Sequence, residues 1–311
     1  MSNFPAVLTS GEAARLIPVA ADSSKENRAA SVLLASMTVV DNLSRALLGG
    51  VGVRIGARTN VQCFTEVVLK ELPGEIRLRP DGLIRVISGK REWTALVEAK
   101  IGRAELSQDQ IIDYVQLAKL NGIEAVITLS NQFAALPTHH PVQMRKATKK
   151  GIDLFHWSWM HVLTQATLLL AESDFSTPEQ RYVLEEMVRY FKHESVGVIG
   201  FDRMNPEWKE LVGKVQSGAT LYRSSPEITN SVAAWHQESR DLCLIMSRKL
   251  GRDVSLKLSN AHKKDPAQRL KDDSEELVQT ATLRCVLDVP DTAAPITIFA
   301  DVRRRTVSCG M

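Results

Sequence analysis

The chain has 311 residues, with 39 Lys and Arg against 36 Asp and Glu, so its formal net charge is +3. At about 150 residues per domain, this length predicts roughly two domains, each large enough to bury its own core. Hydrophobic residues make up 44% and charged residues 24% of the chain, which excludes a mainly disordered or fibrous protein.

The sequence also argues against a membrane-spanning or secreted protein. No apolar run approaches the ~18 residues that a membrane span needs, and residues 1–27 lack the basic start and apolar core of a signal peptide. A disulfide framework or a thiolate zinc site is disfavoured because the cysteines form no CxxC pair: Cys63, Cys243, Cys285 and Cys309. These features favour a reducing, cytoplasmic environment. The nearly balanced charge neither requires nor excludes a polyanionic partner.

Helical and strand patterns alternate in the first part of the chain. The first helix is predicted to begin near Ser23, with Glu26 three residues later as in a capping box, and to end at Gly49 and Gly50. Its apolar residues recur at helical spacing: Ala29, Leu33, Met37, Val40, Leu43 and Leu47. Further elements are predicted in this order: strands at 60–70, 75–80, 82–89 and 93–101, a helix at 107–122 and a strand at 123–131. This order predicts a mixed α/β sheet.

After residue 135 the pattern becomes mainly helical. The predicted elements are an edge strand at 152–159, a buried helix at 160–173, helices beginning at Thr177 and Asn205, a long helix at about 225–250, a polar link at 261–276, and alternating strands at 276–289 and 295–307. The last two strands are expected to pair antiparallel. A domain boundary is expected between residues 195 and 220.

The residues that carry chemistry lie in the segment from Pro80 to Lys100. Asp81 and Glu98 fall on neighbouring predicted strands, and two such carboxylates can hold a hard divalent cation. Lys100 lies two residues after Glu98, so both side chains point to the same face of the sheet. An ammonium group at this place can orient a water molecule and stabilise charge on a phosphate. The set is suited to metal-dependent phosphodiester hydrolysis.

This pattern, Pro80-Asp81 followed by Glu98-Ala99-Lys100 with the two carboxylates 17 residues apart in sequence (98 − 81), resembles the PD-(D/E)XK nuclease superfamily, which has the restriction-endonuclease-like fold. The core of that family runs αβββαβ, and residues 23–131 can be read in that order. Gln110 and Tyr114 have the QxxxY spacing of its RecB-like and exonuclease-like branches. The resemblance covers about the first half of the chain.

The resemblance implies an α/β protein with a restriction-endonuclease-like αβββαβ core at residues 1–160. For the remainder, which resembles no family, the pattern of elements predicts a helical connector at 161–220 and a C-terminal α+β domain at 221–311. Asp81, Glu98, Lys100 and Gln110 would be catalytic. Mg²⁺ or Mn²⁺ would be bound by Asp81 and Glu98, with Glu26 as an additional ligand from the first helix. The implied reaction is the cleavage of DNA leaving a 5′ phosphate, in repair, recombination or defence against foreign DNA.

Contacts with nucleic acid are expected from Tyr114, through the resemblance, and from a basic cluster just after the core: Arg145, Lys146, Lys149 and Lys150. The cluster Arg303–Arg305 is a weaker alternative, and either cluster can be an ordinary solvated face. No membrane partner is expected, and a homodimer is left open.

Each of these residues also has an ordinary structural interpretation. Asp81 before Gly82 is typical of a turn. Glu26 and Gln110 both fit capping boxes, and Tyr114 can be a half-buried helix residue. Glu66 is either pocket-lining or solvent-facing. Other groups are interpreted as structural: His139 and His140 as loop histidines, and Trp157 and Trp159 as core residues in preference to base-stacking ones.

Two other functions remain open at this point. The first is a catalytically inactive nuclease-fold protein that binds nucleic acid or serves in assembly. The second is a regulatory module that responds to a small ligand through its C-terminal domain.

Overall fold

A computed structural model describes residues 5–17, 24–71, 78–144, 150–171 and 175–311. The chain divides into two compact units: unit 1 is Met1–Gln132 with Pro137–Ile199, and unit 2 is Phe133–Leu136 with Gly200–Met311. The expected connector at 161–220 is therefore shared between the two units. The predicted strand at 75–80 falls largely outside the described residues.

Unit 1 consists of β1 (Leu8–Ala13), α1 (Lys25–Val39), α2 (Asp41–Gly50), β2 (Thr59–Leu69), β3 (Gly82–Ser88), β4 (Arg91–Ala99), α3 (Gln108–Leu120), β5 (Ala125–Ser130), β6 (Asp153–Ser158), α4 (Trp159–Ala171), α5 (Pro178–Lys192) and a 3-10 turn at Glu194–Val196. The strands form one six-stranded sheet in the order β1-β2-β3-β4-β5-β6. Strands β1 to β4 pair antiparallel, whereas β4, β5 and β6 pair parallel. The prediction of a mixed α/β sheet is confirmed, and β6 lies at its edge as predicted.

The first helix differs from its prediction in its start and in its continuity. Ser24 caps α1 by accepting a hydrogen bond from the N–H of Asn27, while Ser23 lies outside the described residues. The expected single helix is broken at Val40, whose backbone is extended, and α1 and α2 are bent by 110° relative to each other. Asp41 begins α2, where a carboxylate interacts favourably with the helix N-terminus. The apolar spacing continued across the break and concealed it.

Among the described residues, no single helix is long and apolar enough to cross a membrane. Only the bent pair α1 and α2 meets the criteria of length and composition when taken together.

The core of unit 1 has two parts, each containing side chains of the sheet. One cluster of buried apolar side chains joins the sheet to α1, α2, α4 and α5, and a second joins it to α3. Trp157 and Trp159 are 0% and 1% exposed and belong to the first cluster. Their interpretation as core residues is confirmed, since buried rings cannot stack on bases.

Unit 2 contains α6 (Pro206–Gln216), α7 (Pro226–Leu250), β7 (Ser255–Leu256), α8 (Asn260–Lys264), α9 (Pro266–Thr280), β8 (Thr282–Asp288), β9 (Ile296–Asp301) and β10 (Thr306–Gly310). Its four strands form an antiparallel sheet in the order β10-β9-β8-β7. The predicted antiparallel pairing of the last two long strands is confirmed by β8 and β9. Leu283, Cys285 and Leu287 are buried, while Arg284 and Asp288, which point to the other face, are exposed.

Three predictions for unit 2 were wrong. In the strand expected at 276–289, residues 276–280 are the end of α9. The expected polar link at 261–276 is helical, because Asp265 caps α9 with its carboxylate and Pro266 starts the helix. The expected strand at 295–307 is two strands, since the chain turns at residues 302–305 before β10. Arg305 has a positive φ of 56° in this turn.

Candidate active site

Asp81 and Glu98 are brought opposite each other by the pairing of β3 with β4. Gly82 faces Val97 in this antiparallel pair, so the two carboxylates occupy the next position along the ladder. Asp81 Oδ2 accepts a hydrogen bond of 2.7 Å from the backbone N–H of Ala99, which fixes the aspartate against the end of β4. The carboxylate therefore has a definite partner on the neighbouring strand, which a simple turn residue would not need.

Gly82 permits the close packing that places Asp81 there. A Cβ atom on this residue would lie 2.4 Å from Leu34 Cδ1 and 2.8 Å from the carbonyl oxygen of Phe64. Helix α1 and strand β2 both approach the start of β3 more closely than any side chain would allow. Space, and not a turn conformation, is the reason for glycine after Asp81.

Glu98 is the centre of the site and is 4% exposed. Its Oε1 accepts hydrogen bonds of 2.7 Å from Lys100 Nζ and of 2.7 Å from Gln110 Nε2. Tyr114 hydrogen-bonds to the same carboxylate. Burying a carboxylate is costly unless it is hydrogen-bonded. Here the partners are Lys100 and Gln110, which were predicted to be catalytic, and Tyr114, which was predicted to contact nucleic acid.

The backbone of Lys100 is held by two neighbouring elements. Its N–H donates to the carbonyl of Leu129 at 2.7 Å, and its carbonyl accepts from the indole Nε1 of Trp159 at 2.8 Å. Strand β5 and helix α4 thus fix the lysine from both sides. This role of Trp159 could not be predicted from the sequence, because core packing already accounted for the residue.

Gln110 both belongs to a helix cap and reaches the site. Ser107 Oγ accepts from the Gln110 backbone N–H at 3.2 Å, as the cap requires. The glutamine side chain does not return to the cap but donates to Glu98. The Gln110 backbone therefore takes part in the helix cap, while its side chain takes part in the site.

Glu26 is not part of a capping box, because Ser24 caps α1 and Glu26 is only two residues after it. Glu26 is then the second helical residue, and its Oε1 accepts from the backbone N–H of Ile101 at 3.4 Å. It also acts electrostatically on Asp81 and Lys100. The first helix therefore contributes a third carboxylate to the neighbourhood of the site.

The charges in the site perturb one another. Burial first, and then the charge of Glu98, raises the pKa of Asp81 from 3.8 to about 7, against the lowering effect of the Ala99 N–H and Lys100. Burial lowers the pKa of Lys100, but its hydrogen bond to Glu98 and the surrounding carboxylates outweigh that effect and raise it overall. Ionisation of Asp81 is therefore opposed in the fold, and a bound cation would favour its ionised form.

The chemistry of the donor set fits a hard divalent cation, because Asp81, Glu98 and Glu26 all offer carboxylate oxygens. Within the part of the chain that the structure describes, no group of three or more His, Cys, Asp or Glu side chains is already gathered as a metal site. Glu98 Oε1 is engaged by Lys100 and Gln110. Cation binding would therefore require these side chains to adjust.

The predicted nucleic-acid contacts are placed less favourably. Tyr114 belongs to α3, is 4% exposed and packs in the second core cluster, so it supports Glu98 and does not face a nucleic acid. Arg145, Lys146 and Lys149 lie outside the described residues, whereas Lys150 is exposed in the turn before β6.

His140 in its loop and His156 in β6 form a structural hydrogen-bond network with Thr128. Thr128 Oγ1 lies 2.9 Å from His140 Nε2 and 2.9 Å from His156 Nδ1, and His156 Nε2 lies 2.8 Å from the carbonyl of Gln132. Burial lowers the pKa of His156 to about 4, so this ring is neutral near pH 7. The carbonyl then accepts from His156 Nε2–H, and the network explains these polar groups without a metal.

A cavity of about 810 Å³ opens beside Asp81. Its wall is formed by β1, the start of α1, β2 and the segment before β3, and it includes Glu12, Arg15, Glu66 and Arg79. The sequence analysis missed both arginines. Arg79 was detectable through its position just before Pro80, but nothing in the sequence placed Arg15 beside it.

No protein-family model matches the chain, and no curated protein or solved structure was found to match it.

Proposed function

We propose that the protein is a divalent-metal-dependent nuclease of the PD-(D/E)XK type that hydrolyses phosphodiester bonds in DNA. The observation that carries the proposal is the convergence on Glu98, where Lys100, Gln110 and Tyr114 hydrogen-bond to one carboxylate. Asp81 lies opposite it across the β3–β4 pair. These residues come from three separate elements, so closeness in sequence does not explain why their side chains lie together.

The order of elements supports the same proposal. From α1 to β5 the chain runs through two helices, three antiparallel strands, one helix and a strand parallel to β4. This order is compatible with a restriction-endonuclease-like αβββαβ core in which the first helix is broken in two. We infer that β1 and β6 extend that core at its two edges.

In the proposed reaction, Mg²⁺ or Mn²⁺ held by Asp81 and Glu98, with Glu26 beside them, would supply Lewis acidity toward the phosphate. Lys100 would orient the attacking water through its ammonium group and stabilise charge developing on the phosphate oxygens. Gln110 would keep the Glu98 carboxylate in a fixed orientation. The hydrogen bond from Ala99 would do the same for Asp81. We place this activity in the cytoplasm.

The test is incubation of plasmid, linear duplex and single-stranded DNA with the protein in Mg²⁺, Mn²⁺ or EDTA. Wild type should cut only with metal, and Asp81→Asn and Lys100→Ala should reduce the rate at least about a hundredfold. Matched controls are Glu105→Gln and Lys90→Ala, which change exposed residues of the same charge in unit 1 and should retain the wild-type rate. Equal rates in wild type and both site variants would refute the assignment.

A second function, nucleic-acid binding without cleavage, is favoured by one observation. Lys100 and Gln110 both occupy the same oxygen of Glu98, so the carboxylate is already satisfied within the protein. For this function, wild type and both site variants would bind DNA alike, and none would cut it with either metal. Replacing DNA by RNA in the same assay identifies the nucleic acid.

A further inference from the structure

We propose that the cavity beside Asp81 is a cleft that binds a backbone phosphate of the substrate strand through Arg15 and Arg79, which Glu12 and Glu66 hold in the free protein. This inference rests on the proposed function and extends it by naming residues that position the substrate. The two ion pairs, Arg15 with Glu12 and Arg79 with Glu66, both lie in the cavity wall.

The position of the cleft connects it to the chemistry. Asp81 belongs both to the cavity wall and to the carboxylate site, and Arg79 precedes it by two residues. A phosphate bound by Arg79 would therefore be the neighbour, along the strand, of the phosphate at the Asp81 carboxylate. Elsewhere in the cavity wall, the backbone of Arg15 is tied to α1, because its N–H donates to Ser31 Oγ at 2.9 Å and its carbonyl accepts from that hydroxyl at 2.8 Å.

The ion pairs are weak enough to exchange. The side chains of Arg15 and Arg79 are 49% and 61% exposed, and ion pairs at such exposed positions contribute little to stability. A guanidinium binds a phosphate with two parallel hydrogen bonds, and charge-assisted bonds of this kind are about twice as strong as neutral ones. Each arginine can therefore leave its carboxylate for a phosphate at little cost.

The backbone of Glu66 indicates that its place in the wall is specific. Its φ is 54°, a left-handed conformation that is unfavourable in a residue other than glycine. Glu66 falls within the irregular pairing of β1 with β2, where the register shifts between Ser10–Val68 and Glu12–Thr65. Such bulges redirect side chains at functional sites, and this one places the carboxylate in the cleft with Arg79.

The two members of each pair are expected to have opposite effects on binding. Loss of an arginine removes a phosphate contact, whereas loss of its carboxylate partner frees the arginine and removes a charge that repels the strand. If the pairs were only structural, either change would act in the same direction. This difference in sign separates a binding role from a stabilising one.

The experiment measures fluorescence anisotropy of labelled single-stranded and duplex oligonucleotides in Ca²⁺, at several salt concentrations, with the full chain. Arg15→Gln and Arg79→Gln should each weaken binding about tenfold and reduce the slope of log Kd against log salt by about 1. Glu12→Gln and Glu66→Gln should tighten binding about threefold. Arg181→Gln and Glu185→Gln, which alter an exposed pair on α5 in the same unit, should change nothing.

Thermal melting of every variant checks folding, and Arg79→Lys, which keeps the charge, should retain the salt slope if Arg79→Gln proves unstable. Weaker binding in both members of a pair, or unchanged binding in the arginine variants, would overturn the cleft even if wild type cuts DNA. The expected signs without any metal-dependent cutting would leave the cleft standing and reject the nuclease. A wild type that binds no nucleic acid would reject both.

Discussion

Replacing Asp81 by Asn should make the protein more stable, and increasingly so as the pH rises. The amide is nearly isosteric, and its oxygen can still accept from the Ala99 N–H, which donates to Asp81 at 2.7 Å in the wild type. The carboxylate, in contrast, must be charged while buried and close to Glu98, which raises its pKa from 3.8 to about 7. The substitution removes that cost without removing the hydrogen bond.

The size of the effect follows from the shift in pKa. Since the pKa is raised on folding, the folded protein holds the proton between these two values, and the stability from this group falls as the pH rises through them. Between pH 5 and pH 8, the free energy of unfolding of wild type should fall by about 3 kcal/mol relative to Asp81→Asn. Above the folded pKa the difference should level off.

Urea unfolding in EDTA at pH 5, 6, 7 and 8 measures this difference directly. Asp153→Asn, which changes an exposed aspartate at the start of β6, is the control and should remain parallel to wild type. Added Mg²⁺ should stabilise wild type but not Asp81→Asn, because the ion would relieve the same repulsion. Parallel pH profiles for wild type and Asp81→Asn would refute the electrostatic reasoning.

Three further predictions concern the supports of the site. Gly82→Ala should lower the free energy of unfolding by about 1–3 kcal/mol in urea titrations, because its Cβ would lie 2.8 Å from the carbonyl oxygen of Phe64; an unchanged midpoint would contradict this packing. Trp159→Phe removes the donor to the Lys100 carbonyl, so it should destabilise by about 1–3 kcal/mol and slow metal-dependent cutting; full activity would show that the bond is dispensable. His156, whose pKa burial lowers from 6.5 to about 4, is neutral in the fold, so its contribution to stability should be lost as the pH falls from 6.5 toward 4. Acid titration of wild type and His156→Gln checks this, and identical pH slopes would exclude the histidine as the cause.

Local signals were sufficient for most of the regular structure. The capped helix α3 and the strands β3, β4 and β5 lie close to where their periodicity and caps predicted them. The errors occurred where the local pattern was compatible with two different secondary structures. Apolar residues at helical spacing continue through Val40 although the helix breaks there. The charged residues from 261 to 276 were interpreted as a polar link, whereas the structure shows that Asp265 caps a helix in this segment.

The candidate site shows the same division between local and tertiary information. The spacing of Asp81, Glu98 and Lys100 predicted neighbouring strands, and β3 and β4 are indeed paired. The spacing could not decide between a capping role and a site role for Gln110, because both use the same position on the helix. Only the packing of α3 beside β4 directs its side chain to Glu98.

The sequence by itself determined the α/β class, the placement of Asp81 and Glu98 at neighbouring strands, and the caps that begin α3 and α5. These depend on side-chain chemistry and on periods of two and 3.6 residues, which are local properties. Tertiary structure alone decided that Glu26 turns toward the site, that Tyr114 is buried, and that Arg15 and Arg79 share a cavity. Such contacts join residues far apart in the chain, and they depend on which surfaces pack together once the sheet has formed.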